Sequence, residues 1–330
     1  RARPMAGRGG SPTARRRRDI LSLGGALLAL LQLATPRCGF SLPWHRRPLV
    51  ASAGAAAAAP GAVAVRASNE GVLERTTQDM NDGQILQNLN QNHGWRPIDM
   101  GADGNCLFLS IAPQVRAEDV AELHGRSSSW AEALGADLGQ RWEALGARER
   151  STLLRRMAML DEADFLQGVR ELRDGKEPLP SQAEWRIREL FKDLAEEFIH
   201  SGKTELAVGV SRWNMQGVYD RVREVVASKS FDEQLDFVLL HAEEYMAITG
   251  RVGNWAGSSE MVALASALRR PFAAYGNNWV SQPAISLDRA ENGGWQVRPY
   301  FEAPAPSAAP AQPAVRVFQT NGGGHYQMLG

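Results

Sequence analysis

Cysteine is almost missing from this chain: Cys38 and Cys106 are the only two among 330 residues. One of them lies in a segment expected to be removed, so a disulfide framework is excluded for the mature chain. The six histidines, at 45, 93, 124, 200, 241 and 325, show no His-x-x-x-His spacing, and there is no Cys-x-x-Cys pair. Nothing in the spacing points to zinc, and no metal or other cofactor is expected. Lysine is missing from residues 1 to 68, which hold eleven arginines and a single acid, Asp19. The rest carries 26 basic against 36 acidic residues, and so acidic a body argues against nucleic acid as a partner. Long apolar runs are short supply too: the mostly apolar stretch from Ile20 to Leu33 spans fourteen residues, few for a membrane span.

What is present at the head of the chain reads as an address. Arg15 to Arg18 precede that apolar stretch, and small residues follow it, which is the pattern of a signal peptide. From Ile20 to Asn69 there is no Asp or Glu, while Arg37, Arg46, Arg47 and Arg66 punctuate an alanine-rich segment of transit-peptide composition. The two together are similar to the bipartite leaders of proteins sent to complex plastids, which enter through the secretory pathway. Arg17-Arg18 as a twin-arginine signal and the run as a signal anchor are the competing readings, with secretion or ER residence as the corresponding destinations. Residues 1–68 are therefore set aside as a leader, 69–83 as a linker, and 84–330 as the folded domain, with no stable membrane insertion once the leader is gone.

Between Gln114 and Gly250 the apolar residues recur at helical spacing. Trp130, Leu134 and Leu138 repeat at four; Ile187, Leu190, Phe191, Leu194 and Phe198 trace one helix face; Leu235, Val238, Leu239, Tyr245 and Met246 trace another. Asp174-Gly175 and Pro178-Leu179-Pro180 break the run between two helices. After Arg270 short strands are predicted at Phe272 to Tyr275, Trp295 to Phe301, Val315 to Gln319 and Tyr326 to Leu329, each bounded by turn residues. The proline- and alanine-rich segment 302–314 reads as a solvated loop between two of them. Helices first and strands later predict an α+β domain.

The stretch GADGNCLFLSIA, 101–112, holds the one thiol of the body. Asp103-Gly104-Asn105 is turn chemistry and Leu107 to Ile111 can open a buried helix, so Cys106 would sit at a helix N-terminus. There unpaired amides favour a thiolate, and the same amides can face an oxyanion. A cysteine nucleophile needs a base. His325, after Gly322 to Gly324 and before the strand YQML, is the candidate. Taken singly, Cys106 reads equally well as a small buried hydrophobe and His325 as a surface residue.

Asp103-Gly104-Asn105-Cys106-Leu107-Phe108, then Asn254-Trp255-Ala256-Gly257-Ser258-Ser259-Glu260 running into an Ala263-Leu264-Ala265 helix, then Gly324-His325-Tyr326, resembles the ovarian-tumour (OTU) family of cysteine proteases over about 84 to 330. The resemblance implies a papain-like α+β fold, a central, mostly antiparallel sheet between helices, and hydrolysis of isopeptide or peptide bonds after the C-terminal tail of ubiquitin or a ubiquitin-like modifier. By position it makes Cys106 the nucleophile, His325 the base, and Asp103 the motif's aspartate beside the nucleophile. Gly104 and Asn105 shape that turn, and Trp255 and Glu260 shape the core and brace the site.

Two features depart from the family pattern. Many members carry Asn or Asp two residues after the histidine, to orient the imidazole; this chain has Gln327, one methylene longer. Nearly 150 residues separate Cys106 from Trp255, so a helical insertion is expected at about 127–230. Two other readings stay open. Gln327 motivates a catalytically silent module of the same fold that holds a partner, and the leader motivates a thiol peptidase or acyl transferase with a non-ubiquitin substrate. Oligomeric state is not legible.

Overall fold

The computed structural model describes residues 75–330 except 102–103, 122, 124–127, 203–204, 212–213, 278–283, 291–292, 307–311 and 321–324. The leader expected at 1–68, with Cys38, lies outside the described residues, as do Asp103 and Gly322 to Gly324. The chain runs β1 (Arg75–Gln78), α1 (Asp82–His93), β2 (Pro97–Ile98), α2 (Cys106–Ile111), α3 (Ala117–Ala121), α4 (Ser128–Leu134) and α5 (Leu138–Arg141). Four longer helices follow, α6 (Ala147–Asp174), α7 (Ser181–Ser201), α8 (Met215–Ser228) and α9 (Phe231–Thr249), and then α10 (Ser258–Leu268). Five of the remaining strands are β3 (Phe272–Gly276), β4 (Ile285–Arg289), β5 (Trp295–Val297), β6 (Phe301–Ala303) and β7 (Val315–Gln319), and β8 (Tyr326–Leu329) closes the order. The class is mixed α+β.

Local chemistry sets the boundaries. Asn81 accepts from the Gln84 amide while the Gln84 side chain accepts from the Asn81 amide, a reciprocal cap that starts α1 and turns Ile85 and Leu89 inward. Residues 75–83 therefore belong to the body: β1 pairs antiparallel with β4, and Met80 is buried. The linker expected at 69–83 is corrected from Arg75 onward. Trp130, Leu134 and Leu138 are all buried, but on two helices, because Gly135 between them takes φ +89°, a left-handed turn that an α-helix does not continue. The Ile187 to Phe198 stripe is wholly buried on α7, as its spacing predicts.

The larger sheet has the order β2-β8-β7-β3-β6, with β3 and β7 parallel and the other pairs antiparallel. Its strands alternate. Phe272, Ala274, Val315, Val317 and Tyr326 face a core shared with α2, α10 and the first half of α6. Ala273, Tyr275, Phe318 and Leu329 face the opposite way, onto Ile85 and Leu89 of α1 and onto Ile285, Leu287 and Val297 of the small sheet β1-β4-β5. Each buried Val, Leu, Ile or Phe among them contributes about 1.5–3 kcal/mol, so both faces are anchored. The sheet is thus covered by helices on one face and by α1 with a second sheet on the other.

The strand predicted from Trp295 to Phe301 is two strands in two sheets. Pro299 has no N–H to give a ladder; before it β5 pairs with β4, and after it the Tyr300 amide bonds the Ala274 carbonyl at 2.9 Å and β6 joins β3. Segment 302–314 is less solvated than expected at its ends: Ala303 is buried in β6, and the Pro313 carbonyl accepts from buried Arg270.

A third core lies wholly among the helices, where Leu166 and Val169 of α6 pack with Leu190, Phe191, Leu194 and Phe198 of α7, Val218 and Val222 of α8, and Val238 and Tyr245 of α9. The helical surplus expected at 127–230 divides: from Trp130 to Ala158 it packs into the core under the larger sheet, and from Leu166 onward it has an interior of its own that extends through α9. Two buried ion pairs of 2.8 Å, from Arg186 on α7 to Asp161 and Glu162, tie α7 to the middle of α6. Among the described residues, no helix is long and apolar enough to cross a membrane.

Candidate active site

Cys106 is the first residue of α2, six residues that are all buried. Burial follows from sequence: Leu107, Phe108 and Ile111 are apolar on every side of a short helix, so it can exist only inside the core. The turn before it is held tightly. Gly104 takes φ +75°, and a Cβ there would stand 2.0 Å from the Gly253 carbonyl oxygen, so only glycine lets this turn lie against the 250–254 loop. Asn105, buried, donates to Ser151 Oγ at 2.6 Å and accepts from Arg155.

Arg155 is the hub of this turn. From the middle of α6 its guanidinium donates to the carbonyls of Gly104 (3.0 Å), Asn254 (2.7 Å) and Thr249, and to Asn105 Oδ1 (3.0 Å). It also lies 4.5 Å above the Phe108 ring. Two segments far apart in sequence, 104–105 and 249–254, are fixed to one planar group whose fork suits several carbonyls at once.

The far end of the chain meets this turn through β8. The Tyr326 amide donates to Cys106 Sγ at 3.4 Å, and Ser110 Oγ donates to the Tyr326 carbonyl at 3.1 Å. These two bonds seat α2 on the strand whose preceding residue is His325. The expected pairing of the Cys106 and His325 segments is thus present in space, 219 residues apart in sequence by their numbers.

The imidazole is oriented by a residue that the sequence reading missed. His325 Nε2 lies 3.1 Å from Asp99 Oδ1, and the same oxygen accepts the Gly101 amide at 2.9 Å. The Gly101 amide first, and then His325, hold the Asp99 carboxyl below its ordinary pKa. A carboxylate on Nε2 assigns the proton of the neutral ring to that nitrogen and leaves Nδ1 as the basic one. Nδ1 is buried and has no hydrogen-bond partner among the described residues.

Gln327 does not bond the ring, so its role as orienting residue is corrected. The reason is in the strand register. β2 pairs with β8, Ile98 opposite Met328, and one more residue along that register brings Asp99 beside Gln327 and next to His325. The shorter, charged side chain from the neighbouring strand takes the position that the longer amide was expected to fill.

Trp255 is not a core residue. It is 55% exposed and stacks on His200 at 6.5 Å, because the 250–257 loop carries it to the rim of a cavity rather than under the sheet. Glu260 does brace the interior: it is buried, caps α10 by accepting the Gly257 amide at 2.7 Å, and accepts the Tyr245 hydroxyl at 2.9 Å. Burial first, then the neighbouring Asp193, push its carboxyl up to about 7. Asp103 lies outside the described residues.

Among the described residues no cluster of His, Cys, Asp and Glu is arranged to hold a metal ion. Chemically the arrangement offers one buried thiol at a helix start and an imidazole polarised by a carboxylate from the adjacent strand. No protein-family model matches the chain, and no curated protein matches it either.

Proposed function

We propose that this chain is an OTU-like cysteine protease that hydrolyses the isopeptide or peptide bond following the C-terminal tail of ubiquitin or a ubiquitin-like modifier. One observation carries the reading: His325 Nε2 rests on Asp99 at 3.1 Å while the amide of the next residue, Tyr326, holds Cys106 Sγ at 3.4 Å. A mostly antiparallel five-stranded sheet with the thiol helix packed on one face supports a papain-like arrangement.

In this reading Nδ1 of His325 takes the Cys106 proton, and the thiolate attacks the carbonyl carbon of the last tail residue. The tetrahedral intermediate collapses as the imidazolium gives its proton to the departing amine, leaving a thioester on Cys106. Water, deprotonated by the same imidazole, then attacks the thioester and releases the tail carboxylate and the thiol. Asp99 stays ionised throughout and stabilises the imidazolium. The silent-module alternative rested on Gln327, and Asp99 supplies the orienting group that Gln327 lacks.

The test is a ubiquitin whose C-terminus carries an electrophile, run with ubiquitin-like modifiers bearing the same group. A single adduct on Cys106, absent from Cys106→Ala, is the expected result. A folded protein that none of these probes labels overturns the reading. If the leader delivers the chain to a complex plastid, the probe series also identifies which modifier is relevant there.

A further inference from the structure

The start of α10 lacks a cap of its own kind. A helix leaves the amides of its first turn without partners, and a Ser, Thr, Asp or Asn just before it ordinarily supplies an oxygen to one of them. Here the N-cap is Gly257, which has no side chain to offer. Glu260 reaches back to the Gly257 amide at 2.7 Å, but the Ser259 amide goes to a carboxylate from another helix. Asp193 of α7, 66 positions earlier than Ser259, accepts that amide at 2.7 Å and Ser258 Oγ at 3.1 Å.

The two positions are matched to each other. A Cβ on Gly257 would stand 2.9 Å from Asp193 Oδ2, so the carboxylate from α7 fits only because position 257 carries no side chain. A cap within α10 would fix that helix alone. One from α7 fixes it to a helix whose own apolar stripe lies in the separate helical core.

The consequence falls on the residues just before α10. Gly253 lies against Gly104 in the turn of the thiol, and the Asn254 carbonyl is held by Arg155 of α6 at 2.7 Å. Trp255 stacks on His200 of α7. Asp193 and His200 are seven residues apart, about two turns, so one face of α7 carries both holds on this loop.

We propose that Asp193 is a positioning residue: it seats the 253–257 loop on α7 and so fixes the wall that this loop builds beside the turn of Cys106. That the wall meets a substrate rests on the protease reading; the seating of the loop does not. The plainer role for Asp193 is to cap α10 and nothing more, and the two roles separate when the cap is supplied from elsewhere.

The test uses the full chain with two readouts that need no turnover. Hydrogen exchange of the Ser259 amide reports the cap. The fluorine resonance of Trp255 in protein labelled with 5-fluorotryptophan, identified among the nine tryptophans by Trp255→Phe, reports the seat. Asp193→Ala is expected to speed Ser259 exchange about tenfold, the scale of one lost cap, and to remove from the Trp255 resonance the ring shift that His200 gives it. Asp193→Ala combined with Gly257→Ser places an oxygen at the N-cap, in the space that the carboxylate leaves. Ser259 protection is then expected to return while the Trp255 resonance stays displaced. On a fluorogenic modifier substrate, the same double variant is expected to keep KM raised about tenfold with kcat within about threefold of the parent, the pattern of lost substrate binding.

Recovery of the Trp255 resonance and of KM together with Ser259 protection reduces Asp193 to a helix cap and overturns the proposal. So does an Asp193→Ala chain whose Trp255 resonance and KM match the parent. Should Asp193→Ala not fold, Asp193→Asn, which keeps one acceptor oxygen, carries the same comparison, and an unmoved Trp255 resonance there overturns it equally. A parent that turns over no modifier fails the protease reading instead, and the Trp255 and Ser259 readouts still decide whether Asp193 seats the loop.

Discussion

Asp99 and His325 are 226 positions apart and share a hydrogen bond of 3.1 Å, made possible because β2 lies alongside β8. The bond assigns the third member of the candidate site to the strand before the thiol rather than to the residue after the histidine.

Asp99→Asn should therefore slow turnover by on the order of tenfold to a hundredfold, less than loss of a buried triad acid, because the Asp99 side chain is more than half exposed. Gln327→Ala should change it by less than about threefold, the size of a surface substitution within ±0.5 kcal/mol. Steady-state rates on one fluorogenic modifier substrate compare the two. The reverse ranking would return the orienting role to Gln327.

The acid limb of activity should reflect the same pair. A carboxyl held below its ordinary value contributes above its unfolded pKa and loses that contribution as pH falls through the folded value. Asp99→Asn should consequently remove the lowest-pH feature of the rate profile, the one set by that carboxyl. The check is a pH–rate profile of both proteins.

Gly104→Ala forces a Cβ into the Gly253 carbonyl and a non-glycine residue into φ +75°. The expected cost is about 1–3 kcal/mol of stability, the usual range for such strain. Chemical denaturation measures it. Probe labelling at Cys106 should fall further than the stability loss accounts for, since the displaced turn is the one that presents the thiol.

Arg155→Met keeps much of the volume of the side chain but removes every bond to the Gly104, Thr249 and Asn254 carbonyls and to Asn105. Leaving a buried acceptor without its donor costs about 1–3 kcal/mol, and with several left at once thermal unfolding should register the loss. A variant that melts like the parent would mean that the turn is held mainly by its apolar packing.

Glu196 and Glu260 both have carboxyls raised to about 7, chiefly by burial. For a raised acid the folded state prefers the neutral form, so its contribution is complete below the unfolded value of 4.5 and is lost as pH rises through about 7. Melting temperature should drop by a few degrees between about pH 5 and pH 8, and Glu196→Gln should flatten part of that slope. A parent protein whose melting point rises over the same interval contradicts the assignment.

Elements with strong periodicity were readable from sequence. The α7 stripe and strands β7 and β8 stand where spacing and turn residues put them, and the contact between the Cys106 and His325 segments was anticipated. What was not readable depended on pairing. β1 and β2 are short strands with no apolar alternation to mark them, and they exist because a partner strand accepts their backbone bonds. Asp99 was hidden for the same reason: an aspartate in a polar turn looks like solvated surface until the register of β2 against β8 sets it beside the imidazole. Trp255 misled in the other direction, since an aromatic in a glycine-rich loop says nothing about which side of the loop faces solvent. Arg155 carried no signal at all, one basic residue among many on a long helix.

The position of Arg155 bears on how this protein can be trimmed. The four long helices look dispensable by length, an addition that could be cut to leave a smaller catalytic unit. Yet the guanidinium that fastens the thiol's turn comes from the first of them, and the third of those helices to follow it ends at Thr249, whose carbonyl that guanidinium also holds. A truncation that spliced Gly146 to Gly250 would delete the clamp together with the supposed ornament, so any shortened version that keeps the turn before Cys106 has to keep α6.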